Sequence, residues 1–408
     1  MTNGDLLVRD LAQVVSPSGT MAPLRGRALR DVDVVEDAFV LCTGGTIAAV
    51  GRMRDLAELQ LGEIEELDGR GLCAVPGLVD CHTHPAFGGD RVHEFALRAR
   101  GASYEELHAA GGGILSTVAA TRALEADELR DRVAENARAM LAHGTATWEG
   151  KSGYGLDRDT ELASLAAIRA AGGTPTWLGA HAVPPELEDA DEYVDWAIAE
   201  VLPRAAELAD AADVFLERGA FDARQARRYL EACREHGLAL RLHGDQFTES
   251  GAIPLAVELG ARSVDHLEAT GETGIAALAA SDVVGVLLPA SALFLDRPMP
   301  PARALVDARA AIALATDFNP GSAFTTSLPL VASLACMQLR LAPEEALGGM
   351  TVNAAHVLGL GRTHGRVAPG CVANLTLLAA PDWRYFAYSL AGDVVAAVIR
   401  DGRRAFGS

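Results

Sequence analysis

The stretch 74-AVPGLVDCHTHPAFGGDR-91 ends a short apolar run with two histidines that are separated by one residue. Successive side chains of a β-strand point to opposite faces, so His82 and His84 are expected to share a face. Two such histidines are compatible with an exposed strand end as well as with a metal site. The interpretation therefore depends on whether other parts of the chain supply further ligands.

The composition restricts the classes of protein to which the chain can belong. Of its 408 residues, 50% are hydrophobic and 22% are charged, which is typical of a folded globular protein. The formal net charge of −20 argues against nucleic acid or an anionic membrane as a partner. An anionic substrate would need a cation placed locally in its binding site.

Three features of the sequence predict a cytoplasmic protein. The first residues, MTNGDLLVRDLAQVV, lack the basic start, apolar run and cleavage site of a signal peptide. The sequence contains no charge-free run of about 18 apolar residues, so it does not predict a transmembrane helix. The six cysteines include no CxxC pair, which argues against a disulfide framework and against a zinc ribbon.

Short apolar segments alternate with Ala/Leu/Glu/Arg-rich segments of helical spacing over residues 72–362. Eight of the apolar segments are strand candidates: GLVDCHTH, GTATWEGKSG, PTWLGAHAV, DVFLERGAF, LALRLHGDQ, SVDHLEA, VVGVLLP and AIALATDFNP. This alternation predicts an α/β fold, a (β/α)8 TIM barrel. Residues 1–71 and 363–408 contain strand-like runs around Gly44-Gly45 and Asp401-Gly402, and predict a small β-sandwich domain formed by both termini.

Polar side chains at the ends of the predicted strands are candidates for one common site, because catalytic residues of such barrels come from the C-terminal strand ends. They are His82, His84, Lys151, His181, Glu217, His243, His266 and Asp317. Imidazole and carboxylate groups suit zinc or iron, and a catalytic metal keeps one position open. The sequence therefore predicts a metal site built from several strands.

Longer motifs link the chain to a known family. PGLVDCHTH, LHGDQ, VDHLE and ATDFNPG resemble motifs of the amidohydrolase superfamily. Within it, FGGDR, ASYEELHAAGGGILSTVAATR, KSGYGL, LGAHAVPP and ATDFNPGS resemble the imidazolonepropionase family of histidine degradation, along almost the whole chain. The resemblance implies a hydrolase that opens the lactam ring of 4-imidazolone-5-propanoate to N-formimino-L-glutamate. It also implies a homodimer, with one zinc or iron ion per chain.

The same resemblance implies roles for individual residues. The metal ligands fall on His82, His84, His243 and Asp317, and the substrate contacts fall on Arg91, Tyr104, Tyr154, His181, Gln246, Asn319, Gly321 and Ser322. Asp317 can take and return a proton, and His266 can stabilise an oxyanion. Gln246 can hydrogen-bond the ring but cannot carry a proton. Arg91 supplies the cation that a carboxylate substrate needs.

Lys151 is the only lysine among 35 basic residues. Some amidohydrolases bridge two metals with a carbamylated lysine on the fourth strand, but Lys151 lies on the second predicted strand, so a single metal is expected. We predict instead that Lys151 pairs with Glu149 or Glu217 and supports the SGYG turn. Two alternatives stay open: a related hydrolase that acts on another small heterocycle, such as a purine or pyrimidine base, and a catalytically inactive relative, which would be expected to lack metal ligands.

Overall fold

Strands from both ends of the chain form one mixed sheet of eight strands in the computed structural model, which describes residues 5–59, 61–101, 112–187, 189–390 and 392–407. The strands are β1 (Leu6–Pro17), β2 (Val32–Thr43), β3 (Thr46–Arg52), β4 (Glu65–Asp68), β5 (Cys73–Pro76), β14 (Leu375–Leu378), β15 (Val395–Arg400) and β16 (Arg403–Phe406). Their order is β16–β15–β14–β5–β1–β2–β3, with β4 also paired to β1. The predicted small β domain built from both termini is confirmed.

The two predicted hairpins of this sheet are present. Gly44 and Gly45 connect β2 to β3 with φ values of 58° and 83°, and Asp401 and Gly402 connect β15 to β16 with 51° and 73°. Turns of this kind need two successive left-handed residues, which Gly-Gly and Asp-Gly provide at low cost. Both hairpins therefore follow directly from local sequence.

Both faces of the sheet are buried at its central strands: one face packs into the core of the small domain and the other into the core of the barrel. On β5, Ala74 packs into the core of the small domain, whereas Cys73 and Val75 pack into the large core of the barrel. On β1, Val14 and Val15 divide in the same way. The alternation of side chains along a strand thus attaches the sheet to the barrel through apolar contacts.

Eight parallel strands form the barrel in sequence order, as predicted. They are β6 (Leu78–Asp80), β7 (Thr145–Lys151), β8 (Thr174–Ala180), β9 (Ala211–Leu216), β10 (Ala239–Gly244), β11 (Ser263–His266), β12 (Val284–Leu287) and β13 (Ala311–Leu314). Each strand pairs in parallel with the next one along the chain. The exact domain boundaries near residues 72 and 362 stay a prediction.

The seam between the first and last barrel strands is closed just beyond their C-terminal ends. The Asp317 N–H donates to the carbonyl of His82 (3.1 Å), and the His84 N–H donates to the carbonyl of Phe318 (2.8 Å). Below them, the Thr316 hydroxyl donates to the buried carboxyl of Asp80 (2.6 Å). Three of the residues that close the barrel, His82, His84 and Asp317, are therefore residues that were predicted to form the site.

Helices connect the strands. Their bounds are Val92–Ala99, Ile114–Arg122, Ala126–Ala142, Arg158–Ala170, Ala190–Trp196, Leu202–Leu208, Ala223–Glu235, Ala252–Leu259, Glu272–Ala279, Pro289–Phe294, Ala302–Asp307, Leu328–Met337, Pro343–Gly348, Ala354–Val357 and Tyr385–Tyr388. The described residues also form short 3-10 segments at Gly26–Arg30 and Met53–Glu58 and π-helical segments at Ala197–Val201 and Gly349–Asn353. Among the described residues, none of these helices is both long and apolar enough to cross a membrane.

The helix Ala223–Glu235 shows why the predicted helical segments fold as they do. Asp222 and Gln225 form a reciprocal capping box at its N-terminus, which satisfies backbone donors that the helix itself leaves free. Its buried residues recur at helical spacing, so that Ala226, Tyr229 and Cys233 face the barrel core. Local capping and a one-sided apolar face together specify this element.

Candidate active site

Four side chains from three barrel strands converge at the C-terminal end of the barrel: His82 and His84 follow β6, His243 lies on β10 and Asp317 follows β13. Nε2 of His84 lies 3.3 Å from Nε2 of His82 and 3.4 Å from Nε2 of His243. Oδ1 of Asp317 lies 3.4 and 3.5 Å from Nε2 of His82 and His84. All four side chains are buried. The structure therefore brings together the four residues predicted as metal ligands.

The orientation of the rings fits a shared cation. Nδ1 of His82 lies 2.6 Å from the carboxylate of Asp265, and Nδ1 of His243 lies 3.1 Å from that of Asp213. Since a carboxylate accepts, the Nδ1 atoms carry the protons and the Nε2 atoms carry lone pairs that face the cluster. Zinc–nitrogen bonds of about 2.0–2.1 Å place tetrahedral ligand atoms about 3.3–3.4 Å apart, which is the spacing seen here.

The electrostatics agree with this donor set. Burial, together with the neighbouring cationic groups, holds the pKa of His82 and of His84 well below its ordinary value, so that both rings are neutral. Burial acts to raise the pKa of Asp317, but the surrounding histidines, His82 foremost, outweigh it and lower this pKa. Neutral imidazoles beside an ionised carboxylate are the states that bind a metal ion.

Lys151 lies below this cluster, and its pairing with Glu149, one of its two predicted partners, is confirmed. Its ammonium contacts Glu149 as expected, at 3.0 Å, but Glu217 instead accepts hydrogen bonds from the backbone of Phe247 (2.8 Å) and Thr248. The backbone N–H groups of the SGYG turn bind a different side chain. The carboxylate of Glu161 accepts from the backbone N–H groups of Gly153, Gly155 and Leu156 at 2.8–3.1 Å.

A cavity of about 570 Å³ opens above the cluster. Its lining includes nearly all of the predicted site residues: His84, Arg91, Tyr154, His181, His243, Gln246, His266, Asp317, Asn319, Gly321 and Ser322. His82 lies deeper and is fully buried. Tyr104, the remaining predicted substrate contact, lies outside the described residues.

Arg91 is held in the cavity wall by a neighbour that the sequence did not reveal. Its Nε and Nη2 atoms donate to the carboxylate of Glu94 at 2.9 and 2.5 Å. Glu94 also accepts from Arg98 (2.7 Å) and from the backbone N–H of Gly113 (2.9 Å). One edge of the Arg91 guanidinium is therefore engaged within the protein, and only its Nη1 side is left to meet a substrate.

Gly321 provides the space for that Nη1 side. A Cβ atom added at Gly321 would lie 2.1 Å from Nη1 of Arg91. We expect Gly321→Ala to displace the guanidinium and to raise KM about tenfold, the equivalent of one charge-assisted hydrogen bond, with metal content unchanged. Steady-state kinetics and metal analysis check this. Gly62→Ala, where an added Cβ meets nothing within 4 Å, is the control, and an unchanged KM in Gly321→Ala would contradict the expectation.

Asn319 shapes the loop that follows the last barrel strand. Its Oδ1 accepts from the N–H groups of Gly321 and Ser322, both at 2.8 Å, and its Nδ2 donates to the carbonyl of Asp317 (2.6 Å). The Ser322 hydroxyl then donates to Oδ2 of Asp317 (3.2 Å). Asp317 itself has a φ of 56°, a conformation that is uncommon outside glycine and that such supporting contacts maintain.

Tyr154 and His181 form another part of the cavity wall. Nδ1 of His181 donates to the carbonyl of Gly153 (3.0 Å), which leaves Nε2 of the ring as an acceptor. Burial, with a contribution from His243, lowers the pKa of His181 to about 3. The ring is therefore neutral, and it lies beside the ring of Tyr154 with 5.3 Å between centroids.

His266 differs from His82, His84 and His181 in the direction of its pKa shift. Its Nδ1 lies 3.5 Å from Oε1 of Glu268, and both side chains are buried. Burial acts to lower the pKa of His266, but Glu268 and then Asp317 outweigh it and raise this pKa. A protonated imidazole at this position can donate a hydrogen bond to an oxygen that gains negative charge.

Residues 73–405 match the model of the amidohydrolase family. The chain belongs to the amidohydrolase family. It is 58% identical to an imidazolonepropionase of Rubrobacter xylanophilus, over 98% of this chain and 99% of the relative. It is 46% identical to an imidazolonepropionase of Chloroflexus aggregans, over 98% of each chain. A solved adenosine deaminase from Xanthomonas campestris with bound zinc shares the fold, with a TM-score of 0.70, 18% identity and coverage of 99% of this chain and 93% of that one.

Membership of the family and the His/Asp cluster together support a metal ion in this amidohydrolase. The sequence did not reveal the carboxylates that contact the site residues or the turns beside them: Glu94, Glu161, Asp213, Asp265 and Glu268. A signal was nevertheless present, because Asp213 and Asp265 interrupt apolar strands (ADVFL and SVDHL) at positions where a charge is costly to bury without a partner.

Proposed function

We propose that this amidohydrolase hydrolyses the lactam ring of 4-imidazolone-5-propanoate to N-formimino-L-glutamate in the degradation of histidine. One observation carries the proposal: a His/Asp donor cluster lines the same cavity of about 570 Å³ as Arg91, whose guanidinium has one edge bound by Glu94 and the other edge facing the cavity. That combination suits a small ring that carries a carboxylate. The relatives named imidazolonepropionase, at 58% and 46% identity, support the same substrate.

The side chains of the cavity have distinct tasks in this proposal. Arg91 binds the propionate carboxylate through its free edge, while Tyr154, His181 and Gln246 orient the ring. His82, His84, His243 and Asp317 would hold the metal ion. When bound, such an ion lowers the pKa of a water molecule and polarises a carbonyl.

Proton transfer is assigned to Asp317. Its carboxylate takes one proton from the water that adds to the lactam carbonyl carbon. Protonated His266 hydrogen-bonds the oxygen that gains charge. When the C–N bond breaks, Asp317 returns the proton to the departing ring nitrogen, which becomes the formimino nitrogen, and the new carboxyl group ionises. Gln246 takes no part in this transfer because an amide does not titrate.

Chelation tests the reaction and the metal together. We expect freshly generated imidazolonepropionate to lose its ultraviolet absorbance rapidly with the purified protein, and the loss to stop after metal is stripped. Restoration by zinc or by iron, compared side by side, decides which of these two ions serves the reaction; magnesium is the control. If metal-replete protein leaves the compound intact, the substrate is instead another small heterocycle, such as a purine or pyrimidine base.

We also propose that the protein acts in the cytoplasm as a homodimer. All six cysteines are free thiols, which suits a reducing compartment. The dimer is implied by the resemblance to imidazolonepropionases. Light scattering coupled to size-exclusion chromatography would test it, and a mass near the 42.7 kDa of one chain would contradict it.

A further inference from the structure

Two buried carboxylates face the rings of the proposed metal ligands from below. Asp265 lies 2.6 Å from Nδ1 of His82, and Asp213 lies 3.1 Å from Nδ1 of His243. Asp213 also accepts the backbone N–H of His243 at 3.1 Å. Contacts of this kind fix the tautomer and the direction of a histidine ligand.

A single ammonium group joins these carboxylates. Nζ of Lys151 lies 2.7 Å from Oδ2 of Asp213 and 3.6 Å from Oδ2 of Asp265, and these are the same oxygens that face the two histidines. Its third neighbour is Glu149, at 3.0 Å, which also pairs with buried Arg241. All of these side chains are inaccessible to solvent or nearly so.

We propose that Lys151 is a positioning residue that holds the ligands His82 and His243 in a fixed relation by bridging Asp265 and Asp213. The inference rests on the proposed metal site but not on the proposed substrate. An ammonium has three donors, and three carboxylates surround it here. Arginine, which supplies every other basic residue, is a larger planar group that does not suit this enclosed position.

The direction in which metal affinity changes when the charge of Lys151 is removed distinguishes a positioning role from a purely electrostatic one. Removing a positive charge close to a cation site should by itself strengthen the binding of the cation. Without Lys151, however, Asp213 and Asp265 lose the charge that holds them together, and the two rings lose their common support. Loss of such supporting contacts typically weakens metal binding by about 10–100-fold. Weaker binding in an uncharged variant is therefore evidence for positioning.

Zinc affinity of the metal-stripped protein tests the inference. We expect Lys151→Met to raise the Kd for zinc about 10–100-fold in competition with a chromophoric chelator. Glu345→Gln is the matched control, because Glu345 is equally buried and ion-paired to Arg30 and Arg303 but faces none of the histidines. It should lose stability and keep its zinc affinity. An equal or tighter Kd in folded Lys151→Met would overturn the proposal.

A second measurement needs no variant. Because the chain contains one lysine, labelling with [ε-¹³C]lysine gives one side-chain signal. Titrating zinc into the metal-stripped wild-type protein should replace this signal with a shifted one, in proportion to occupancy. A signal that stays unchanged at full occupancy would overturn the proposal, whereas wild-type protein that binds no zinc would overturn the metal site itself.

Discussion

Asp317→Asn is expected to lower kcat for imidazolonepropionate by about 10³-fold or more. Asparagine has nearly the same shape and keeps the backbone contact of residue 317 to His82 across the barrel seam. It carries no negative charge beside Nε2 of His82 and His84, and it cannot accept the proton of the attacking water. The rate of absorbance loss at saturating substrate measures the effect, with metal content determined in parallel.

Asp80→Asn is the control for damage to the seam. Asp80 is as buried as Asp317 and lies on the same seam, where it accepts from Thr316. Burial raises the pKa of Asp80 to about 7, so that about half of the carboxyl groups are already protonated near neutral pH and the substitution removes only part of a charge. This variant should remain close to wild type. Equal losses in both variants would attribute the effect to the seam, and full activity of Asp317→Asn would remove Asp317 from the mechanism.

Arg91→Met should raise KM for imidazolonepropionate about 100-fold and leave the metal content unchanged. A hydrogen bond to a charged group is worth about 1.5–3 kcal/mol, and about 1.4 kcal/mol corresponds to tenfold in affinity. The loss is aggravated because Glu94 stays in the wall with Arg98 as its remaining guanidinium partner, and its charge then repels the propionate. Initial rates over a wide range of substrate concentration determine KM.

Arg91 could also lower KM by attracting the anionic substrate at long range, and this effect needs a separate control in a protein with a net charge of −20. Arg132 is exposed and lines a cleft that shares Arg91 with the active-site cavity. Arg132→Met removes the same charge without removing a contact inside the cavity. A KM that rises equally in both variants would indicate a field effect, whereas a rise confined to Arg91→Met would indicate direct binding of the carboxylate.

The ligands of the candidate site could be predicted from the sequence because each stands where an apolar strand meets a polar turn. His82, His84, His243 and Asp317 all follow this pattern, and parallel strands bring their C-terminal ends to one rim. The two hairpins of the small domain were equally predictable, since Gly44-Gly45 and Asp401-Gly402 specify their turns locally.

The supporting contacts could not be predicted in the same way. Lys151 meets Asp213, 62 residues away, and Asp265 meets His82, 183 residues away. No local periodicity encodes such pairs, because they depend on the register of strands around the barrel. The prediction for Lys151 therefore found the neighbour two residues away, Glu149, whereas its alternative, Glu217, binds the backbone of Phe247 instead. Contacts within a turn, by contrast, stay close in sequence, as with Glu161 and Gly153.

The closed seam has a consequence for the lifetime of the folded protein. Its two sides, represented by Asp80 and Thr316, are 236 residues apart along the chain, so that joining them carries a loop-closure cost and we expect it to occur late in folding. A metal ion that binds His82, His84 and Asp317 binds only after the seam has formed. It stabilises contacts that are absent from earlier states, and so it slows unfolding and hardly changes the rate of folding. The ion would thus determine how long the barrel persists once it has closed.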